Sequence, residues 1–272
     1  MRAWLVLLFG LFAFNAAAAS ETVEFPSGEG TIHGELFKPA GNGPFPVIVA
    51  LHGCAGLTTR AGQTRRIYRD WGERLAAAGY AVLFPDSFGS RHLGSQCTTR
   101  SRQVRPRRER TRDAFAARRW LQKQPWTKAD RVYLMGWSNG GSTTLWTVRR
   151  PLQLDDRYPD FRAAVAFYPG CRQPRNAGWS ARVPTLVLIG AADDWTPPDA
   201  CEGMIADARG RSARVEIKLY PGAYHGFDQP NMPLRERRGL AYTANGAGHA
   251  HIGTNEAARA DAIQRVSAWF SH

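Results

Sequence analysis

From Val47 to Leu51 the chain is apolar at five successive positions, leaving neither side of a strand for water. Strands that read this way are covered on both faces, as inside a parallel sheet. Further strand-like runs follow at 80–84, 131–135, 163–168, 185–189 and 215–220. Helix-compatible segments alternate with them: around 67–78 (ending at Gly79), within 100–121, after Ser138, around 199–208 and near 256–270. Upstream, 22–25 and 32–37 flank Ser27-Gly28-Glu29-Gly30, a hairpin signal. The β-then-α rhythm predicts an α/β fold with a mostly parallel central sheet and helices on both faces. A single domain over 20–272 is expected, with no repeat or linker dividing it. Residues 229–254 form the longest stretch without a clear element and are expected to run as an excursion over the surface.

The first nineteen residues follow a different pattern. Arg2 precedes an almost unbroken apolar run from Trp4 to Phe14, and small residues fill 16–19. This predicts a secretory signal peptide over 1–19, cut after Ala19, and a secreted or periplasmic protein. The alternative, a retained membrane anchor, meets a run shorter than the roughly 20 residues needed to span a bilayer. No later segment is long enough, so stable membrane insertion is not expected.

Export bears on the cysteines. Cys54, Cys97, Cys171 and Cys201 are an even set, and in an oxidising compartment two disulfides are expected. Their spacing has no zinc-site pattern and leaves all three connectivities open. A hydrophobic content of 43% with 22% charged residues is enough for a sizeable core and argues against general disorder. The net charge is +13, with much of the excess in 100–119. There Asp113, Ala114, Phe115, Ala117, Trp120 and Leu121 read as the buried side of a helix, with the arginines outside. A solvated helix face is the plain reading; a funnel for acidic substrates or an anionic surface is the other. Nucleic acid is not an expected partner, since no recognition motif accompanies the charge.

The chemistry begins at Gly136-Trp137-Ser138-Asn139-Gly140-Gly141, a G-x-S-x-G motif between an apolar strand and a helix-compatible segment. Such a turn exposes a serine hydroxyl at the carboxyl edge of a sheet, and its glycines avoid collisions across the turn. The N–H of Asn139 would then face a developing oxyanion at a helix N-terminus. Serine needs a base, and His225 follows the last strand-like run. His33, His52, His92 and His272 fit that role less well. His249 and His251 lie in the excursion without a third metal ligand. The orienting acid should follow the 185–189 strand, where Asp193 and Asp194 both stand, and the residues alone leave that choice open. A second oxyanion donor is expected from the loop Leu51-His52-Gly53-Cys54-Ala55-Gly56, at the N–H of Cys54.

With these motifs in view, the chain resembles an exported member of the dienelactone hydrolase family, within the α/β-hydrolase superfamily. The resemblance runs from about Phe45 to the C-terminus and rests on HGCAG at 52–56, FPDSFGSR at 84–91, GWSNGG at 136–141, GAADDWTP at 190–197 and YHGFD at 224–228. The family's acid lies four residues before a proline in this loop, which with Pro197 implies Asp193. The resemblance also implies the pairs Cys54–Cys97 and Cys171–Cys201. The chain departs from the family in three places. Ser138 replaces a cysteine nucleophile, and Gly53 a glutamate. Asp228 and Gln229 follow Phe227 where a basic residue would hold the substrate carboxylate. A general small ester or lactone therefore suits the chain better than dienelactone itself. Trp137, Trp195, Tyr168 and Phe88 are candidate aromatic neighbours of the site or members of the core.

The resulting expectation is a serine esterase or lactonase with Ser138, Asp193 and His225 as triad and the Cys54 and Asn139 N–H groups as oxyanion hole. Acyl transfer of this kind needs no metal or organic cofactor. Two alternatives accompany it: an exported serine peptidase of the same fold, and a non-catalytic binder of anionic polymers.

Overall fold

The computed structural model describes residues 20–28, 30–150 and 157–271. The expected signal peptide lies outside these residues. Its central sheet has eight strands: β1 (Ser20–Ser27), β2 (Gly30–Phe37), β3 (Phe45–Leu51), β4 (Ala81–Pro85), β5 (Thr127–Trp137), β6 (Ala164–Phe167), β7 (Thr185–Gly190) and β8 (Val215–Tyr220). They lie in the order β1-β2-β4-β3-β5-β6-β7-β8. β1 pairs antiparallel with β2, and β2 antiparallel with β4. All pairings from β4 across to β8 are parallel. The sheet is thus mixed but mostly parallel, with helices on both faces, the architecture of an α/β-hydrolase.

The continuous apolar runs form its buried centre. Val47 to Leu51, Val132, Leu134, Met135 and Val187 to Ile189 have no exposed surface. Each such aliphatic side chain contributes about 1.5–3 kcal/mol on burial. The first helix, α1 (Arg66–Ala77), buries Ile67, Tyr68, Trp71, Leu75 and Ala76 along one stripe. A side chain at Gly72 would meet the Phe37 ring at 2.5 Å, so glycine lets α1 lie close on β2. The remaining helices are α2 (Thr111–Gln122), α3 (Asn139–Thr147), α4 (Arg172–Asn176), α5 (Pro198–Asp207) and α6 (Glu256–Phe270).

The arginine-rich stretch departs from expectation. Pro106–Arg110 forms a wider π-turn leading into α2, and one arginine from each points inward. Arg110 is fully buried, donates from Nη1 to Asn139 Oδ1 at 2.6 Å and lies over the Phe88 ring. Arg118 is also buried, between Phe115 and Phe161, and bonds Asp160 at 2.9 Å. Ring faces and a charged acceptor make an interior guanidinium tolerable. Trp120, expected inside, is only half-buried against Phe25.

The excursion at 229–254 is also more ordered than expected. It carries an antiparallel pair, β9 (Arg235–Arg238) and β10 (His249–Ile252), outside the main sheet. Leu240, Ala250 and Ile252 pack with Trp195 and the Cys54–Cys97 disulfide into a second small core. The Ala241 N–H donates to the Cys97 carbonyl at 2.9 Å, which ties the excursion to the carboxyl edge of the sheet. The other disulfide joins Cys171 to Cys201, linking α4 to α5.

Candidate active site

Ser138 stands at the sharp turn from β5 into α3 with φ 54° and ψ −113°, a conformation that L-residues adopt only at a cost. Close backbone contacts enforce the turn. A Cβ on Gly140 would come within 1.9 Å of the Leu51 carbonyl oxygen, and one on Gly136 within 2.4 Å of the Gly140 carbonyl oxygen. The strained residue is held by its N–H, which donates to the Phe167 carbonyl at 2.9 Å.

Three loops then converge. The Ser138 hydroxyl lies 2.9 Å from His225 Nε2, and His225 Nδ1 lies 2.9 Å from Asp193 Oδ2. This network sets the tautomer: Nδ1–H donates to the carboxylate and Nε2 accepts from serine. Asp193 is itself fixed, because its Oδ1 accepts the N–H groups of Trp195 (2.9 Å) and Thr196 (2.8 Å). The Thr196 hydroxyl donates to the Tyr168 carbonyl at 3.0 Å and stands 3.1 Å from both Asp193 Oδ2 and His225 Nδ1. Asp193 and His225 are 3% and 2% exposed, which strengthens the ionic hydrogen bond between them. Asp194 points elsewhere, its carboxylate 2.7 Å from His251 Nδ1 in β10. The geometry therefore sets Asp193, which the resemblance implied, beside His225, and Asp194, which the residues alone left as an alternative, beside His251.

The oxyanion candidates sit where the loop after β3 passes Ser138. A Cβ on Gly53 would stand 3.6 Å from that of Ser138 and 3.4 Å from the Tyr68 hydroxyl. The Gly53 N–H is already spent on that hydroxyl at 2.7 Å, and burial pushes the Tyr68 phenol up to about 12. The Cys54 carbonyl accepts from the Gln96 N–H at 2.7 Å, and the disulfide to Cys97 fixes the same loop through its side chain. Asn139 opens α3, where the first N–H groups have no intrahelical acceptor. Its side chain is held from behind by Arg110, whose own pKa burial lowers to about 10.

A cleft of about 270 Å³ lies over these groups, its lining including Cys54, Tyr68, Ser138, Trp195, Met232 and Ile252. Tyr168 and Trp195 pack on the His225 ring at 4.5 and 4.6 Å, and Trp137 also reaches the cleft wall. Phe88 does not; it lies in the interior between His52 and Arg110. His249 and His251 do not converge on a metal, since one pairs with Glu236 and the other with Asp194. Among the described residues no group of three or more metal-ligating side chains occurs.

Four arginines rim the cleft and were not foreseen: Arg65 and Arg66 at the start of α1, and Arg235 and Arg237 on β9. β9 alternates, so Arg235 and Arg237 face the cleft while Glu236 pairs with Arg238 and His249 outside it. No acidic side chain lines the cleft among the described residues. Arg237 is held below the usual arginine range by burial and by Arg235 and Arg65 beside it. The RERR signature carries no apolar periodicity, and only its alternation of site-facing and outward positions could have marked it.

The sequence model of the Dienelactone hydrolase family matches residues 32–272. An Azospirillum brasilense protein named "Putative carboxymethylenebutenolidase" is 26% identical over 216 residues, covering 75% of this chain and 86% of its own length. A dienelactone hydrolase-like promiscuous phosphotriesterase from metagenomic libraries superposes with a TM-score of 0.69 at 21% identity, covering 94% of this chain and 98% of its own. An acylaminoacyl peptidase of Pyrococcus horikoshii reaches 0.66 at 16% identity over 96% of this chain but only 42% of the peptidase, a likeness of fold.

Proposed function

The chain belongs to the dienelactone hydrolase family, and on that premise we propose that it hydrolyses small esters or lactones through an acyl-serine intermediate. The observation that carries the reading is the relay of two 2.9 Å contacts from Ser138 through His225 to Asp193. In this scheme Nε2 of His225 takes the serine proton as the hydroxyl attacks the carbonyl carbon, and Asp193 stabilises the imidazolium that forms. The N–H groups of Cys54 and Asn139 receive the oxyanion of the tetrahedral intermediate. The imidazolium then gives its proton to the leaving alkoxide. Water, deprotonated by His225, attacks the acyl-serine and regenerates the hydroxyl.

The four arginines at the rim support substrates that carry a carboxylate, held by charge-assisted hydrogen bonds. They offer from α1 and β9 the cationic contact that the turn after His225 lacks. Relatives named as carboxymethylenebutenolidases and as a 2-oxo-3-(5-oxofuran-2-ylidene)propanoate lactonase agree with an acidic lactone or ester. Two disulfides and the N-terminal pattern of residues 1–19 support export of a single domain beginning at Ser20. No helix among the described residues is long and apolar enough to cross a membrane.

The test compares p-nitrophenyl butyrate with the p-nitrophenyl monoester of succinate, using the protein from Ser20 onward, the S138A variant and the R235Q/R237Q double variant. The reading expects S138A to lose turnover on both esters. It expects the double variant to raise KM by about tenfold for the succinate ester alone. Unchanged activity in S138A would overturn the serine mechanism, and equal KM effects on both esters would overturn the carboxylate preference.

A further inference from the structure

Three residues beyond His225, the chain buries a carboxylate that no step of the scheme above employs. Asp228 has no exposed surface. Its Oδ2 accepts the indole N–H groups of Trp71 at 2.8 Å and Trp137 at 2.7 Å, and its Oδ1 accepts the Tyr168 hydroxyl at 2.6 Å. No lysine or arginine among the described residues pairs with it. An interior carboxylate without a cation is costly, and the side chains that meet its charge here are three neutral donors. Indole nitrogens can only donate, so the atom shared by the two tryptophans has to be an acceptor.

Two of the three donors adjoin the relay directly. Trp137 is the residue before Ser138. The Tyr168 ring packs 4.5 Å from the His225 ring, and its carbonyl receives the Thr196 hydroxyl that also touches Asp193 and His225. Asp228 shares the turn of His225. Trp71, from α1, completes the cluster from below, its ring 6.0 Å from that of Trp137. Tyr168 is held at φ 35°, a left-handed conformation that a non-glycine residue keeps only when its surroundings over-determine it. The phenol bond to Asp228 is one of those constraints. A single carboxylate therefore fixes reference points beside Ser138 and His225 directly, and beside Asp193 through the Tyr168 carbonyl that holds Thr196.

We propose that Asp228 is a positioning residue of the hydrolysis: by accepting from Trp137, Trp71 and Tyr168 together it sets the distance between the Ser138 hydroxyl and the His225 imidazole. The proposal rests on the reading of Ser138 as nucleophile. Displacement of a reacting group by about 1 Å is enough for a loss on the order of 100-fold. Asp228 does not line the cleft, so the loss falls on kcat and leaves substrate binding intact.

The experiment measures kcat per active site, counted by fluorophosphonate labelling of Ser138, with p-nitrophenyl butyrate as substrate. Asp228→Leu keeps the branched outline, with bulkier methyl groups, and removes both acceptors. The expected result is a kcat per labelled site lowered by about 100-fold, with KM within threefold of wild type. Asp228→Asn is the rescue: its amide oxygen can accept both indole N–H groups while its NH2 donates to the Tyr168 oxygen, and kcat within about fivefold of wild type is expected. A purely structural role would lower Tm and the labelled fraction but leave kcat per labelled site within threefold, and that outcome overturns the proposal. So does an Asn variant as impaired as the Leu variant. If the Leu variant does not fold, Tyr168→Phe deletes only the phenol oxygen; about a tenfold loss in kcat is expected, and an unchanged kcat overturns the proposal. A wild-type protein that neither labels nor hydrolyses the ester would refute the serine reading instead.

Discussion

Replacing Asp193 by asparagine separates the two neighbouring carboxylates with a magnitude that follows from the contacts. Asp193 Oδ1 receives two backbone N–H groups at 2.9 and 2.8 Å, and Oδ2 faces His225 Nδ1 at 2.9 Å. An asparagine has one oxygen for these two sides. Turning its oxygen toward His225 would set an NH2 against two buried N–H groups and leave both unsatisfied, at about 1–3 kcal/mol each. The amide is therefore locked with its oxygen on the backbone and its NH2 toward His225. The imidazole must then present a bare Nδ1 and carry its proton on Nε2, where it cannot accept from Ser138. The expected loss in kcat is on the order of 10⁴-fold, or about 5.5 kcal/mol of barrier, with little change in KM. Asp194→Asn serves as the control, since its carboxylate reaches only His251 in the excursion. Steady-state hydrolysis of a p-nitrophenyl ester by both variants, beside a circular dichroism check of folding, is sufficient. Asp193→Asn retaining a tenth of wild-type activity, or Asp194→Asn losing the larger share, would refute the reasoning.

Two further outcomes concern stability. Removing the Cys54–Cys97 bridge as C54A/C97A releases a loop of 43 residues and should cost about 4 kcal/mol. That corresponds to a drop of roughly 8–16 °C in Tm, and calorimetry showing less than 3 °C would count against it. His52 is fully buried, donates from Nδ1 to the Gly53 carbonyl and stands 3.7 Å from Asp86, too far for a hydrogen bond. Burial, with the Arg110 charge beside it, holds its pKa well below 6.5. Protonation therefore favours the unfolded chain. His52 costs nothing above pH about 6.5, and stability falls by up to about 1.4 kcal/mol per unit as pH drops below that value. Urea unfolding between pH 5 and 7.5 should show this slope reduced in His52→Gln, and an unchanged slope would contradict the assignment.

The parts of this fold legible in the sequence are those built from local pattern. β3 and β7 are unbroken apolar runs, α1 shows its stripe, and the turn at Ser138 announces itself by the glycines its geometry demands. The order of strands depends on pairings far apart in sequence, and no local pattern carries it. Arg110 and Arg118 read as surface charges because arginines usually are; their acceptors Asn139 and Asp160 lie 29 and 42 residues away. Asp228 was read only as the end of the YHGFD motif and as a departure from a basic residue, because its donors Trp71, Trp137 and Tyr168 stand 157, 91 and 60 residues from it. The excursion was invisible as structure for another reason. Arg235–Arg238 is a strand of four charged residues, held by its partner β10 and not by burial of its own side chains.

That strand has a consequence for how the protein can diversify. The relay stands on turns clamped by the sheet, where a single methyl group at Gly140 would collide with backbone. β9 borders the same cleft but belongs to none of the eight strands beneath it. Exchanging the exposed Arg235 for a neutral or acidic residue asks nothing of the interior, so the cleft can lose or reverse charge there while Ser138, His225 and Asp193 stay where they are. Successive generations of the gene can thus sample new preferences in a region where error is cheap, and inherit the chemistry unchanged.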